Sequence, residues 1–334
     1  ASESWTSRIP TSQLSSRATW AGLNSTLKGE LFFSRQQDIL GVTCPKVQLG
    51  YFYYESLHAL LRGARAASRI ERGEEVCSIP VQKMLSSYSV TNSSLAPLVS
   101  VLDPDTDAKG HRRRLRRTYK SFDGRSLLAM LLLRERARET SPHMAYAQII
   151  STHDVSNVPM TFAPGSARYE ALSEFAKRKA RHARAGALRE YSALVAAFPR
   201  YAVQLSEGIR CEGGDGVEGG GSTACPMRQL QAIYSEAAFV EAYAIVRARD
   251  WVLPMYSREN YMMVPIIDML NYGQVGLRVS FKDSRHAFVM VATEAVDKGA
   301  ELLFFYGTFC KEAMIDLYGF AVSYARDCNA GTKG

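Results

Sequence analysis

Two short stretches in the last third of the chain carry polar side chains directly after apolar runs. Asp268 and Asn271 stand in DMLNYG after the apolar run 262–267, and Tyr306 stands in FFYG after the apolar residues 302–305. The ends of strands are places where unpaired backbone groups and side chains can bind a ligand. Singly, the acid and the amide fit turn positions, and the tyrosine fits a core position with a bonded hydroxyl. Three such residues together indicate a binding or catalytic site.

The segments that position these side chains are predicted to be β-rich and to lie on both sides of a helical block. Helical spacing of apolar residues predicts helices in the middle of the chain, at 126–139, 168–198 and 229–249. Alternation, apolar runs and turn residues predict strands and turns elsewhere, namely a hairpin-like pair over 69–80, a strand over 261–267, a turn at 297–299 and a strand over 300–305. A closing helix is predicted over 311–320. This order predicts an α+β fold in which distant β segments meet in space.

The bulk composition favours a soluble globular protein. The 334-residue chain is 46% hydrophobic, which is enough to bury a core. Its longest apolar run, LLAMLLL at 127–133, is far shorter than the roughly 20 residues of a membrane span. Much of the net charge of +8 lies in two basic runs, 111–120 and 177–184. Solvated faces explain these runs better than a nucleic-acid site, so nucleic acid is not an expected partner.

The cysteines and the glycine-rich stretch indicate no chemistry of their own. The six cysteines are scattered without a CxxC pair, which predicts neither a zinc knuckle nor a dense disulfide framework, and favours a reducing compartment. The window 211–226 predicts a flexible loop rather than a phosphate cradle. Residues 1–29 hold a single acid, Glu3, a composition that fits both a transit-peptide remnant and any unstructured extension.

The order of the segments resembles that of SET-domain methyltransferases, in the branch that contains the Rubisco large-subunit lysine methyltransferase and the actin histidine methyltransferase. In the C-terminal half, the matching segments are DMLN at 268–271, DKGAELLFFYG at 297–307 and AMIDLYGF at 313–320. Upstream, the matching segments are RGARAASRIERGEEVCSIP at 62–80, SPHMAYAQIIST with NVPMTF in the helical part, and AYAIVRAR at 242–249. The resemblance therefore covers about 41 to 325.

The resemblance implies a fold and a domain organisation. It implies small β-sheets that wrap a knot-like crossing of the C-terminal segment. It places the SET domain at 41–325, with a helical insert at about 121–258 that forms the outer wall of the substrate cleft. An N-terminal extension at 1–40 and a tail at 326–334 flank this domain.

The resemblance also implies S-adenosylmethionine as the cofactor. The backbone around Arg62 and Gly63, with the side chain of Arg249, would hold the methionine end of the cofactor. Asn271 and Tyr272 would form a bend around its amine and adenine. No metal is implied.

Three further roles follow from the same resemblance. Tyr318, Gly319 and Phe320 would close over the adenine, and Tyr306 matches the catalytic tyrosine of the family. Asp268 would support the bend structurally.

Methyl transfer from a sulfonium is an in-line displacement, so its rate comes mainly from alignment in a narrow dry channel. A tyrosine hydroxyl suits such a channel because it can accept weak hydrogen bonds from the methyl and orient the amine. The leading expectation is protein-lysine N-methylation. A histidine or another protein nitrogen as the acceptor, and a catalytically weak SET-like module that binds a protein partner, remain as alternatives.

Three positions depart from the pattern of the family. Leu61 replaces the first glycine of the upstream motif, where a Cβ could crowd a backbone approach. Tyr272 replaces the histidine after the asparagine, and Phe305 replaces the small residue before the catalytic tyrosine. The first and third changes bear on cofactor binding and on the shape of the target channel.

Overall fold

The computed structural model describes residues 25–55, 59–91, 93–96, 124–150, 155–211, 225–255 and 258–328. These residues form two compact units, and each is described by itself. The first unit comprises the described residues of Ala1–Met84, Thr140–Thr152 and Met263–Thr308. The second unit comprises the described residues of Leu85–Glu139, His153–Met262 and Phe309–Gly334.

Helices and strands are both plentiful in the described residues, so the predicted α+β class is confirmed. The α-helices are α1 (Ser25–Ser34), α2 (Gln36–Leu40), α3 (Ser87–Thr91), α4 (Gly124–Ala137), α5 (Met144–Ile150), α6 (Ala167–Glu170), α7 (Glu174–Ser206), α8 (Met227–Ile233), α9 (Glu236–Arg249) and α10 (Lys311–Tyr318). The strands are β1 (Val47–Tyr54), β2 (Ala59–Ala66), β3 (Glu75–Pro80), β4 (Leu85–Ser86), β5 (Trp251–Met255), β6 (Arg258–Met263), β7 (Asn271–Lys282), β8 (Ala287–Ala292) and β9 (Glu301–Phe304).

The first unit is built on a six-stranded sheet with the order β1-β2-β9-β7-β8-β3. The last strand along the chain, β9, therefore lies in the middle of the sheet. It pairs antiparallel with β2 and parallel with β7. Because β7 and β9 run in the same direction, the start of β7 and the residues that lead into it lie close to this central strand. The crossing thus brings two stretches about thirty residues apart in sequence to one place.

Helices α1 and α5 supply buried side chains to the same unit. Leu31 and Phe32 of α1 are fully buried, and so is Tyr146 of α5. The rings of Phe32 and Tyr146 stack with their centroids 6.3 Å apart. Residues 25–40, which the sequence assigned to an extension, thus form helices that contribute to a packed core.

The second unit is mainly helical and carries a small three-stranded sheet, β4-β6-β5. Helix α4 matches the predicted helix at 126–139, and its leucines at 127, 128 and 131–133 are buried. Ser235 caps α9 by accepting a hydrogen bond from the backbone of Ala238, and Arg247 and Arg249 lie in its last turn, where cations suit the helix dipole. The buried leucines and the residues at the helix ends are thus the local features that account for these two helices.

Two details of the predicted strands are wrong. The hairpin-like pair over 69–80 does not form, because Ile70 bridges to Val296 while β3 pairs with β8. The strand over 261–267 stops at Met263. Pro265 cannot donate to a ladder, and Ile266 has a φ of 72°, so the chain turns there instead of continuing the strand.

The scattered cysteines, which predicted no dense disulfide framework, are paired in the structure. All six form disulfides, which join Cys44 to Cys77, Cys211 to Cys225, and Cys310 to Cys328. The partners are 33, 14 and 18 residues apart, so the fold brings them together and short spacing does not reveal them. The argument for a reducing compartment loses its basis, since such disulfides persist in oxidising surroundings.

Several predictions concern residues with little or no structural description. The basic run at 111–120 and most of the glycine-rich window, 212–224, lie outside the described residues. The second basic run lies on α7, where Lys177 pairs with Glu170 and Glu174. Its neighbours Arg178, Lys179 and Arg181 are exposed.

Among the described helices, none combines the length and the apolarity that crossing a bilayer requires.

Candidate functional site

The bend that precedes Asn271 is a buried and strained turn of the first unit. Ile266 is fully buried and has φ 72° and ψ −51°, a conformation that a β-branched residue rarely adopts. A short 3₁₀ helix, Ile267–Met269, follows and leads into β7. Strain of this kind persists only where the surrounding structure holds it in place, and it concentrates at ligand sites.

Asp268 anchors this turn to helix α5. Its carboxylate accepts a hydrogen bond from the hydroxyl of Tyr146, and both side chains are buried. A buried carboxylate that accepts a hydrogen bond is far less costly than one left without a donor. This contact accords with the structural role expected of Asp268.

Tyr306 lies just beyond β9 and reaches back to the same turn. Its hydroxyl donates a hydrogen bond to the carbonyl oxygen of Leu270 at 2.5 Å. Its ring meets the ring of Tyr272 edge-on, with centroids 5.4 Å apart, and that of Phe304 at 5.9 Å. The two stretches that drew attention in the sequence therefore come together in space.

Phe305 is more exposed than its neighbour Tyr306. Its side chain is 41% exposed, and its ring lies 6.0 Å from that of Tyr272. The aromatic residue that departs from the family pattern thus forms an exposed rim beside Tyr272.

Gly63 packs directly against Asn271. A Cβ added at Gly63 would lie 2.6 Å from Nδ2 of Asn271 and 2.9 Å from Oε1 of Glu301, which is closer than real Cβ contacts. The pairing of β2 with β9 covers Ala64 and Arg65, so Gly63 lies one residue beyond this ladder. A glycine is required here for the close approach of the strand to the amide.

Arg62 is held through its side chain. Its Nη1 donates to the carbonyl oxygen of Ile149 in α5 at 3.1 Å. Its backbone pairs with Tyr51 in the β1–β2 ladder, and Leu61 pairs with Phe52. Leu61 therefore occupies a regular position in the sheet.

Glu301 and Tyr54 complete this group, and sequence reasoning assigned them no role. Nδ2 of Asn271 donates to Oε1 of Glu301 at 2.8 Å, and the hydroxyl of Tyr54 donates to both carboxylate oxygens at 3.0 Å. Burial raises the pKa of Glu301 above its ordinary value, and the two hydrogen bonds oppose this rise. The sequence does contain a feature that could have identified Glu301, because this residue is an acid in the otherwise apolar stretch AELLFF.

The remaining candidates, Arg249, Tyr318 and Phe320, lie in the second unit. Arg249 ends α9, and the next residue, Asp250, accepts a hydrogen bond from Nε of Arg125 at 2.8 Å. Tyr318 ends α10. Burial, and next the charge of Asp250, raise the pKa of Tyr318 to about 12, so its hydroxyl stays protonated at neutral pH.

Tyr318 and Phe320 belong to one aromatic group around the end of α10. The ring of Tyr318 lies 5.8 Å from that of Phe309 and 6.0 Å from that of Phe320. Gly319 between them adopts a φ of 76°, and a Cβ there would lie 2.6 Å from the backbone of Asn157. The turn after α10 therefore needs glycine on two grounds.

A disulfide closes the loop that carries this aromatic group. Cys310 lies at the N-cap position of α10 and is bonded to Cys328. The backbone N–H of Cys328 also donates to Glu312 at 2.8 Å. Cys310, Glu312 and Cys328 bring potential metal-ligand atoms within 4.8 Å of one another, but the two sulfurs are bonded to each other.

Comparisons with known proteins agree with this fold. No protein-family model matches the chain, and neither does any curated protein. The solved structure of Rubisco LSMT bound to sinefungin and monomethyllysine matches with a TM-score of 0.55 at 15% identity, over 89% of this chain and 57% of that one. The SET domain of LSMT bound to lysine and AdoHcy matches with a TM-score of 0.54 at 15% identity, over 90% of this chain and 58% of that one.

The likeness establishes that this chain has the SET-domain fold of the LSMT structures. The chain spans less than two thirds of their length, at 57% and 58%. Within the first unit, the structure brings together Gly63, Asn271, Tyr272 and Tyr306, with Arg62 next to Gly63 in β2. Within the second unit, it brings together Tyr318 and Phe320, while Arg249 lies beside the Asp250 whose charge acts on Tyr318.

Proposed function

We propose that this protein is an S-adenosylmethionine-dependent protein methyltransferase that acts on lysine. The observation that carries the proposal is the hydrogen bond from Tyr306 to Leu270, which joins the expected catalytic tyrosine to the turn ahead of Asn271. The SET fold supports it, because the matching LSMT structures hold sinefungin with monomethyllysine and AdoHcy with lysine.

The residues present fit the cofactor. Gly63 lets the Asn271 amide approach the backbone of β2 more closely than any Cβ would allow. Backbone near the end of the β2–β9 ladder and the Asn271 carbonyl are acceptors for an ammonium group. Within the first unit, Arg62 and Gly63 would hold the methionine end, and Asn271 and Tyr272 would form the bend around the amine and adenine. The resemblance alone assigns Arg249 to the methionine end and Tyr318 and Phe320 to the adenine.

When bound, S-adenosylmethionine supplies a methyl group on a sulfonium, which becomes a neutral thioether as the acceptor nitrogen gains the methyl. Tyr306 donates its hydroxyl proton to the carbonyl oxygen of Leu270, and a phenol oxygen carries lone pairs that can act as acceptors. They can accept weak hydrogen bonds from the methyl and orient the acceptor amine. The aromatic rings of Tyr272 and Phe304 lie beside Tyr306, where they would exclude water from a bound acceptor and favour the neutral amine over the ammonium.

A histidine, or another protein nitrogen, is the second candidate for the acceptor. Phe305 supports this second candidate, because its exposed aromatic ring lies beside Tyr272 at a position where the family has a small residue. Mass spectrometry of the modified peptide decides between the acceptors.

Calorimetric titration with S-adenosylmethionine tests the proposal at the level of the cofactor. We expect saturable binding at one site per chain, and displacement by sinefungin. Absence of binding by the folded chain would contradict the proposed function and favour a SET-like module that binds a protein partner.

A further inference from the structure

Glu301 is the one acid of the central strand β9. Its neighbour Leu302 is fully buried, whereas Glu301 is half-buried and accepts hydrogen bonds from Tyr54 and Asn271. A charged residue at such a position needs partners that offset its lost hydration. Both partners here are neutral donors, so the carboxylate keeps its full negative charge when ionised.

The carboxylate fixes which way the amide of Asn271 faces. A carboxylate only accepts hydrogen bonds, so Nδ2 of Asn271 must face Oε1 of Glu301, at 2.8 Å. The carbonyl oxygen of the amide is then left as an acceptor on the other side. Gly63 permits this arrangement, because any Cβ there would collide with both Nδ2 and Oε1.

The charged and titratable groups around Glu301 do not neutralise it. Tyr54 on β1 is a neutral donor, since burial and then the charge of Glu301 raise the pKa of its phenol. Arg65 pairs with Glu301 through the β2–β9 backbone ladder, but its side chain is exposed. Arg62 on the same strand donates to the carbonyl oxygen of Ile149. From β7, the facing group is the neutral amide of Asn271.

Resting on the proposed function, we propose that Glu301 is a positioning residue that makes the site prefer S-adenosylmethionine to its product, S-adenosylhomocysteine. The two molecules share every group except the methyl and the positive charge on sulfur. A partly buried carboxylate behind the Asn271 amide attracts that charge, because the local dielectric is well below that of water. The product lacks the charge and leaves more readily.

The test is a calorimetric comparison of both ligands with wild type, Glu301→Gln and Glu75→Gln. Glutamine keeps an oxygen that can accept from Asn271 but removes the charge. We expect Glu301→Gln to lower the ratio of S-adenosylmethionine affinity to S-adenosylhomocysteine affinity by about threefold to tenfold. Glu75 pairs with Arg285 on the exposed side of the same sheet, so its substitution should leave the ratio unchanged.

A pH series on the wild type provides a readout that needs no variant. The affinity ratio should fall as the pH is lowered and Glu301 gains a proton, whereas the ratio of Glu301→Gln should stay flat. An α-amino group ordinarily titrates at about 7.7–8.0, so in the acidic part of the series both ligands carry it protonated and its titration does not change the ratio.

The outcomes separate this proposal from the proposed function. Equal losses for both ligands in Glu301→Gln, or a flat ratio in the wild type, would show a purely structural role and overturn the proposal. If the folded wild type binds neither ligand, the proposed function fails, and this inference fails with it. If Glu301→Gln does not fold, the wild-type pH series alone decides.

Discussion

The hydroxyl of Tyr306 donates to the carbonyl oxygen of Leu270 at 2.5 Å, across a sequence separation of 36 residues. This contact ties the exit of the central strand β9 to the turn that leads into β7. The turn is itself held by the buried bond from Tyr146 to Asp268 and by the left-handed backbone of Ile266. A tyrosine supported in this way is fixed before any ligand arrives, which is what alignment of a methyl transfer requires.

Substitution of Gly63 by alanine should weaken binding of S-adenosylmethionine. The added Cβ would lie 2.6 Å from Nδ2 of Asn271, so the amide must move. We expect a loss on the order of tenfold to a hundredfold in affinity, measured by calorimetry.

Gly186→Ala on α7 is the matched control. The nearest atom to its added Cβ is Nη2 of Arg189 at 3.9 Å. Affinity should be unchanged, and stability should rise by up to about 1 kcal/mol because alanine is the better helix former. Equal affinities for the two variants would contradict a role for Gly63.

Loss of the disulfide between Cys310 and Cys328 should affect cofactor binding as well as stability. The bond closes the loop that holds Tyr318 and Phe320. Substituting both cysteines by serine should lower the free energy of unfolding by about 2–4 kcal/mol and should weaken S-adenosylmethionine binding. Urea unfolding and calorimetry measure the two effects.

The same double substitution at Cys211 and Cys225 is the control, since that disulfide closes a loop remote in sequence from every candidate site residue. It should reduce stability without changing affinity. A change in affinity of the same size in both variants would contradict a specific role for the bond between Cys310 and Cys328.

Tyr146→Phe should destabilise the first unit. It removes a hydroxyl that donates to the buried carboxylate of Asp268. Loss of such a donor costs about 1–3 kcal/mol, which denaturant unfolding would detect. Tyr234→Phe in the second unit removes an equally buried hydroxyl whose partner, the carbonyl oxygen of Leu205, is 3.4 Å away, and should cost less. Equal losses would argue against the Asp268 contact.

The stability difference between the wild type and Glu301→Gln should depend on pH. Burial raises the folded-state pKa of Glu301 above its ordinary value of 4.5, so folding favours the protonated form. This contribution is present below 4.5 and is lost as the pH rises through the raised pKa. The wild type should therefore gain stability relative to Glu301→Gln as the pH is lowered from neutral. Urea unfolding across this range measures it, and a constant difference would contradict the shift.

The sequence predicted the parts of the site that depend on local chemistry. Asn271 and Tyr306 were identified because each follows an apolar run, and the structure joins the two stretches. Helix α4 was predicted from its run of leucines, and α9 from its helical spacing of apolar residues. Such features follow from periodicity and end signals within a short window.

Features that depend on distant residues were missed for a physical reason. The network of Tyr54, Asn271 and Glu301 joins three strands, and no spacing rule links their positions. The disulfides join cysteines up to 33 residues apart, which only the folded chain brings together. The strand predicted over 261–267 failed for a local reason instead, because Pro265 cannot donate to a ladder and a proline within an apolar run argues against a strand.

The central claim is that Tyr306 serves a methyl transfer, and labelled-methyl incorporation tests it most directly. Wild type, Tyr306→Phe and Tyr324→Phe would each be incubated with methyl-labelled S-adenosylmethionine and a proteome extract. Tyr324 is 54% exposed, so its variant controls for loss of a tyrosine hydroxyl away from the site. We expect wild type and Tyr324→Phe to label protein, and Tyr306→Phe to lose about a hundredfold in rate. Equal, background-level incorporation by all three would contradict the account.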